Sequence, residues 1–196
     1  MANQDAPFGF RAVGGLGSRP TSEGTSKYVI ESGFADSIYA GDVVEAGTGT
    51  SEGGTTINYG YVGNAPATSS VRNVGVFNGC FYTDPTTSKP TFKNYWPASV
   101  AAEAQAFVYD NPDDLFEVQA EGTLVQATVA RAVDMAYTTG STINGRSKEE
   151  IDTTAGADRT CRVIRISGDP SNSDIAAVNA NWIVKFNEHI YYNYST

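Results

Sequence analysis

Polar and apolar residues alternate with a period of two along much of this chain, which is the spacing of a strand with one face buried. In LFEVQA, Leu115, Glu117 and Gln119 fall on one face and Phe116, Val118 and Ala120 on the other. In NWIVKFNEHIYY (181–192), Trp182, Val184 and Phe186 oppose Ile183, Lys185 and Asn187. Strand-like runs also occupy KYVIES (27–32), INYGYVG (57–63), VRNVGVFNGCFY (71–82), EAQAFVYD (103–110) and TCRVIRIS (160–167). In SIYAGDVVEAG two short apolar runs flank Ala40-Gly41-Asp42, a tight-turn signal between strands. Gly75 and Gly79, inside the 71–82 run, predict bulges or close backbone contacts, and Pro97 keeps FKNYWPASV out of a central strand. One stretch has another period: in LVQATVARAVDMAY, Val125, Val129, Ala132, Val133 and Ala136 recur at helical spacing and predict a short helix. Residues 138–158 read as a long polar connection. The pattern predicts an all-β fold, an antiparallel β-barrel or β-sandwich of about eight short strands with one short helix.

The first 26 residues break the pattern. They hold five glycines and two prolines, and only Phe8, Phe10, Val13 and Leu16 are large and apolar. Such a segment cannot bury itself, so residues 1–26 are expected to form an extended N-terminal arm across another surface, or a plain disordered terminus. Residues 27–196 are expected to form a single β-rich domain, a size at which one core is sufficient.

Composition agrees with β structure. There are 20 Gly, 11 Tyr and 9 Phe, and only 18% of residues are charged. The net charge is −9, and the 13 Lys and Arg are scattered with no run able to track a phosphate backbone, which argues against direct nucleic-acid binding. Cys80 and Cys161 lie in apolar strand-like runs and are read as buried thiols, with a disulfide left open. No Cys/His spacing suits zinc, and no cofactor motif stands out. MANQDAPFGF lacks the basic start and apolar core of a signal peptide, and no run is long enough to cross a membrane as a helix, so a cytosol-like setting without membrane partners is expected.

Little points to catalysis, and no enzyme is expected. His189 is the only histidine, and a lone histidine in an aromatic strand reads as a surface or interface residue rather than the base of a triad. The acidic stretch YDNPDDLFEVQAEG is the one concentration of carboxylates. It lacks the central glycine of a calcium loop, and Glu117 and Glu121 share one strand face instead of facing across a cleft. Asn111-Pro112-Asp113 is turn-forming. The stretch is read first as a structural turn, then as an acidic rim facing a partner, and last as a catalytic pair or metal site.

The ordered set VYDNPDDLFEVQAEG, GSTINGRSKEEID and CRVIRISGDPSNSDIAAVNANWIVKFNEHIY resembles a family of structural proteins of tailed bacteriophages, the capsid cement or head-decoration proteins. NQDAPFGFRAV resembles the family's opening, with Ala12 where the family often carries proline, and the GDVV turn after SIYA also recurs there. The resemblance covers most of the chain and carries no active-site residues. It implies a homotrimer on the outside of an icosahedral head, clamping neighbouring major capsid protein subunits. On that reading the candidate partner contacts are Phe8, Phe10 and Arg11 in the arm, and Tyr191, Tyr192 and Tyr194 near the C-terminus. A carbohydrate- or receptor-binding tail or fibre module is the alternative.

Overall fold

The computed structural model describes residues 3–17, 24–48, 58–65, 67, 73–156 and 159–192. Nearly half of the chain is strand, in antiparallel sheets without a closed barrel, and a sandwich-like all-β fold results. The first sheet contains β1 (Arg11–Gly15), β10 (Asp114–Gln119), β14 (Asn181–Phe186), β13 (Cys161–Ile166), β11 (Ala132–Ala136) and β12 (Glu150–Gly156), in that spatial order. It curls until Ala120, just past β10, bridges Ile151 of β12 at one end. Its concave side holds Phe116, Val118, Trp182, Val184, Phe186, Val133 and Val163.

The second sheet runs β2 (Ser26–Ile30), β9 (Ala104–Tyr109), β6 (Asn73–Thr83), β4 (Val43–Thr48), β5 (Asn58–Asn64), with β7 (Pro90–Lys93) also paired to β6. Ile30, Val44, Phe77, Cys80, Ala106, Val108 and Trp96 form its core. Val43 and Val76 face the other way and join the core of the first sheet, so the two layers meet along β4 and β6. The last pair, β3 (Ile38–Tyr39) and β8 (Tyr95–Trp96), closes one side of the second core.

The glycines inside β6 have the expected effect. A Cβ on Gly75 would lie 1.9 Å from the Tyr109 carbonyl oxygen of β9, so only glycine allows the two strands to approach there. The register shifts between Phe77 and Gly79.

Three expectations are corrected. The helix expected over 124–137 is a 3-10 turn of three residues, Gln126–Thr128, followed by β11. No side chain caps the turn, and Ala130 sits at φ 67, which ends any helix. Ala132, Val133, Asp134 and Met135 are all buried between β12 and β13. With apolar residues on both of its faces this strand lacks alternation, so small and branched apolar residues imitated a helical spacing. The polar connection of 138–158 contains β12 at its end. The turn at Tyr39–Asp42 does form, with Asp42 N–H donating to the Tyr39 carbonyl at 2.9 Å. Its flanking strands do not pair with each other: β3 pairs with β8, and β4 pairs with β5 and β6.

The N-terminal segment is no free arm. Phe10 is 3% exposed and packs against Phe116 and Phe186, and β1 is an edge strand hydrogen-bonded to β10. Both cysteines are free and buried.

Candidate functional site

The acidic stretch proves to be structural. Asn111 accepts from Asp113 N–H at 3.1 Å and donates to the Asp114 carboxylate at 3.0 Å, closing the expected turn between β9 and β10. Asp110 accepts from Ser26 at 2.9 Å and from the Tyr28 hydroxyl at 2.8 Å, tying β2 to the turn. Asp113 pairs with Lys185 at 3.3 Å. Glu117 is buried, with one oxygen on Arg11 and the other on Ser167. These four carboxylates are tied within the chain.

A second pair of carboxylates, distant in sequence, lies in the interior. Asp42 is 1% exposed and Glu149 fully buried. One Asp42 oxygen accepts from Tyr39 N–H at 2.7 Å, and one Glu149 oxygen accepts from Val43 N–H at 2.9 Å. Among the described residues, the other oxygen of each carboxyl is buried without a hydrogen-bond partner. Burial pushes the Asp42 carboxyl up to about 6, against its hydrogen bonds to Ser147 and Tyr39 N–H. Burial and then the Asp42 charge push Glu149 well above the usual carboxylate range.

Three segments cross at this pair. Gly9, at φ 74, lies so close to Ser147 that a Cβ there would meet the Ser147 Cβ at 2.4 Å, and Phe10 N–H donates to the Gly41 carbonyl at 2.9 Å. Ser147 N–H donates to Ala40 at 3.0 Å. The N-terminal segment, the GDVV turn and the GRSKEEID segment thus meet at one buried knot. Sequence reading singled out each segment and missed the pair, because nothing in a linear pattern reports that Asp42 and Glu149 meet. The only signal was Asp42 beside Val43 and Val44; Glu149 lies in a polar stretch that gave none.

His189 is also buried rather than surface-exposed. Its Nδ1 accepts from Tyr191 N–H at 3.2 Å, and burial holds its pKa below the ordinary histidine value against a hydrogen bond to the Val74 main chain.

The six expected partner contacts separate. Phe8 is half-buried with the Arg11 guanidinium over its ring at 5.1 Å, and both line a cleft of about 130 Å³ against Gly41 and Arg146. Phe10 is in the core and unavailable to a partner. Tyr191 is 58% exposed, with its hydroxyl 2.5 Å from that of Tyr28. Tyr192 lies inward, donating to the Pro112 carbonyl at 2.8 Å, with Lys185 over its ring. Tyr194 lies outside the described residues.

An exposed aromatic pair lies elsewhere, on the outer face of the second sheet. Phe92 is 60% exposed and Phe81 40%, and the two are cross-strand partners on β7 and β6. Phe107 of β9 sits 5.9 Å from the Phe92 ring. The Phe92 ring lies across Gly79, where a Cβ would come within 3.1 Å of it. An adjoining groove of about 300 Å³ is lined by Val29, Phe81, Thr83, Glu103 and Gln105. On the first sheet, Val13, Leu16, Leu115, Ile164 and Ile183 line an open groove of about 640 Å³.

Among the described residues there is no group of three or more side chains able to hold a metal, and no helix long and apolar enough to cross a membrane. Comparison with protein-family models, with curated proteins and with solved structures finds no match to this chain.

Proposed function

We propose that this protein is a virion structural component of the capsid cement or head-decoration kind. It binds the outer surface of a mature phage head as a homotrimer and stabilises contacts between major capsid protein subunits. The observation that carries the reading is the exposed Phe81–Phe92 pair on the outer face of the second sheet, with the half-buried Phe107 ring against Phe92. Contiguous exposed aromatic surface marks an interaction site, and aromatic residues are enriched in interface cores. The net charge of −9 suits an outer surface better than one facing packaged DNA. The ordered sequence resemblance supplies the head, the trimer and the capsid partner. In this reading head expansion presents a lattice that unexpanded heads lack, and several weak apolar contacts per trimer make release rare.

Co-sedimentation with expanded and unexpanded heads of the corresponding phage tests it. Stoichiometric binding to expanded heads alone is expected; no binding to either form overturns the reading. A second reading, a carbohydrate-binding module, is favoured by the groove beside Phe81, where an aromatic ring adjoins Glu103, Gln105 and Thr83. A glycan array discriminates: specific glycan binding lost in Phe81→Ala supports that module.

A further inference from the structure

The first visible residues of the chain lie in a groove that reads main chain. Gln4 N–H donates to the Asn172 side-chain oxygen at 2.9 Å, and the Asn172 amide donates back to the Gln4 carbonyl at 2.9 Å. Gln119 repeats the device: it accepts from Ala6 N–H at 3.0 Å and donates to the Gln4 carbonyl at 2.9 Å. Asn3 adds its own side chain, accepting from Asp174 N–H at 3.1 Å and donating to the Asp174 and Val178 carbonyls. Asn172 and Gln119 are themselves buried, at 5% and 0% exposure, so the amides are held in place. Two side-chain amides imitate a neighbouring strand here, and the chain continues into β1, a true added strand. Phe10 between them fills the core beside Phe116 and Phe186.

The groove recognises backbone atoms, Asn3 and one phenylalanine, none of which depends on the arm being covalently joined to this body. Residues 17–25 join β1 in one sheet to β2 in the other. They are bracketed by Gly17 at φ 76 and Gly24 at φ 74, and a Cβ at either would touch nothing within 4 Å. These are open hinge positions. Nine residues span up to about 30 Å, against a radius of gyration of about 16 Å for a domain of this length. The linker therefore reaches the groove of an abutting copy as well as its own.

We infer that residues 3–15 form an exchangeable arm, and that in crowded assemblies the arm of one copy completes the groove and core of a second copy of this chain. The exchanged state makes the same contacts as the closed one, so the two differ through linker geometry and concentration. A short linker holds its own arm at an effective concentration of about the millimolar range, so closed monomers prevail in dilute solution and exchange competes when copies are packed together. The inference goes beyond head binding and holds whichever surface the protein docks on.

Engineered cysteines in the full chain test it. The double variant Asn3→Cys/Asp174→Cys, oxidised at low micromolar concentration, should close an internal disulfide, which establishes that the site accepts the bond. The single variants Asn3→Cys and Asp174→Cys are then refolded together at about 1 mM, near that effective concentration, and oxidised. A mixed dimer on a non-reducing gel is expected. It should be at least tenfold more abundant than from the same refolding with Thr86→Cys, on a distant turn, in place of Asp174→Cys. Deleting residues 18–23 should raise the yield further by denying the arm its own groove. Equal yields from the two pairings, or no mixed dimer while the double variant closes internally at every concentration, would overturn the inference.

Discussion

At the scale of single residues, the interior holds two groups with opposite pH dependence. Asp42 titrates at about 6 in the folded protein against 3.8 in an unfolded chain. The folded state therefore holds its proton more tightly, and the associated stability is present in full below about pH 4 and lost as pH rises through 6. Two units of displacement correspond to about 3 kcal/mol, and Glu149 shifts in the same direction. Glu149→Gln keeps an oxygen for Val43 N–H and removes one charge. We expect urea denaturation to show wild type losing stability between pH 5 and 8 relative to this variant; parallel curves would exclude the pair as a titrating element in that range. His189 acts in reverse. Its folded pKa is depressed, so its contribution is present above the unfolded value of 6.5 and is lost as pH falls through the lowered folded value. His189→Gln should flatten the acid limb of the same profile. Phe186, Tyr191 and Tyr192 surround the ring, and Asp110 and Lys185 are the charged groups that act on it.

At the scale of elements, the N-terminal segment is the case where sequence and structure disagree most usefully. Its few apolar residues, spaced among glycines, predicted an arm laid over another surface. The surface is its own domain, and Phe10 is part of the core. Phe10→Ala should cost about 3–5 kcal/mol, the range for large-to-small aromatic changes in cores. Phe8→Ala, at a half-buried site, should cost clearly less, and equal losses in thermal or urea unfolding would contradict the packing. β10 and β14 were legible although both of their faces are covered: their second face carries polar residues such as Glu117, Gln119 and Lys185, so the alternation survives in the sequence. β11 was not, because apolar residues on both of its faces erase the period. Its position between β12 and β13 has a measurable consequence. The amides of Val133 and Met135 should exchange only with global unfolding, and rapid exchange there would contradict a central strand. The candidate surface was least legible of all. Phe81, Phe92 and Phe107 come from three strands, and only the pairing of β6 with β7 and β9 brings them together.

At the scale of the whole molecule, charge and apolar surface make competing demands on any docked assembly. Copies carrying −9 repel one another at low salt, and with a Debye length of about 8 Å at physiological ionic strength much of that repulsion is screened. If docking rested on an acidic rim facing basic residues of a neighbour, added salt would weaken it. Three of the five carboxylates of the acidic stretch, Asp110, Asp113 and Glu117, are instead engaged by Lys185, Arg11, Ser26, Tyr28 and Ser167. In the proposed reading, docking through the outer face of the second sheet rests on apolar contact, which salt does not screen. Occupancy on expanded heads is therefore expected to hold or rise between about 0.1 and 0.5 M NaCl, across which the screening length shortens. The variant Phe81→Ser/Phe92→Ser should leave the fold intact, since Phe92 is 60% and Phe81 40% exposed and neither ring belongs to a buried core. It should lower occupancy at least tenfold in co-sedimentation. If occupancy instead fell steeply with salt and survived the double substitution, docking would be electrostatic and the aromatic face would have another use. If both salt and the substitution left occupancy unchanged, the first sheet's groove at Val13 and Leu16 would be the next surface to alter, with Leu16→Ser as the decisive variant.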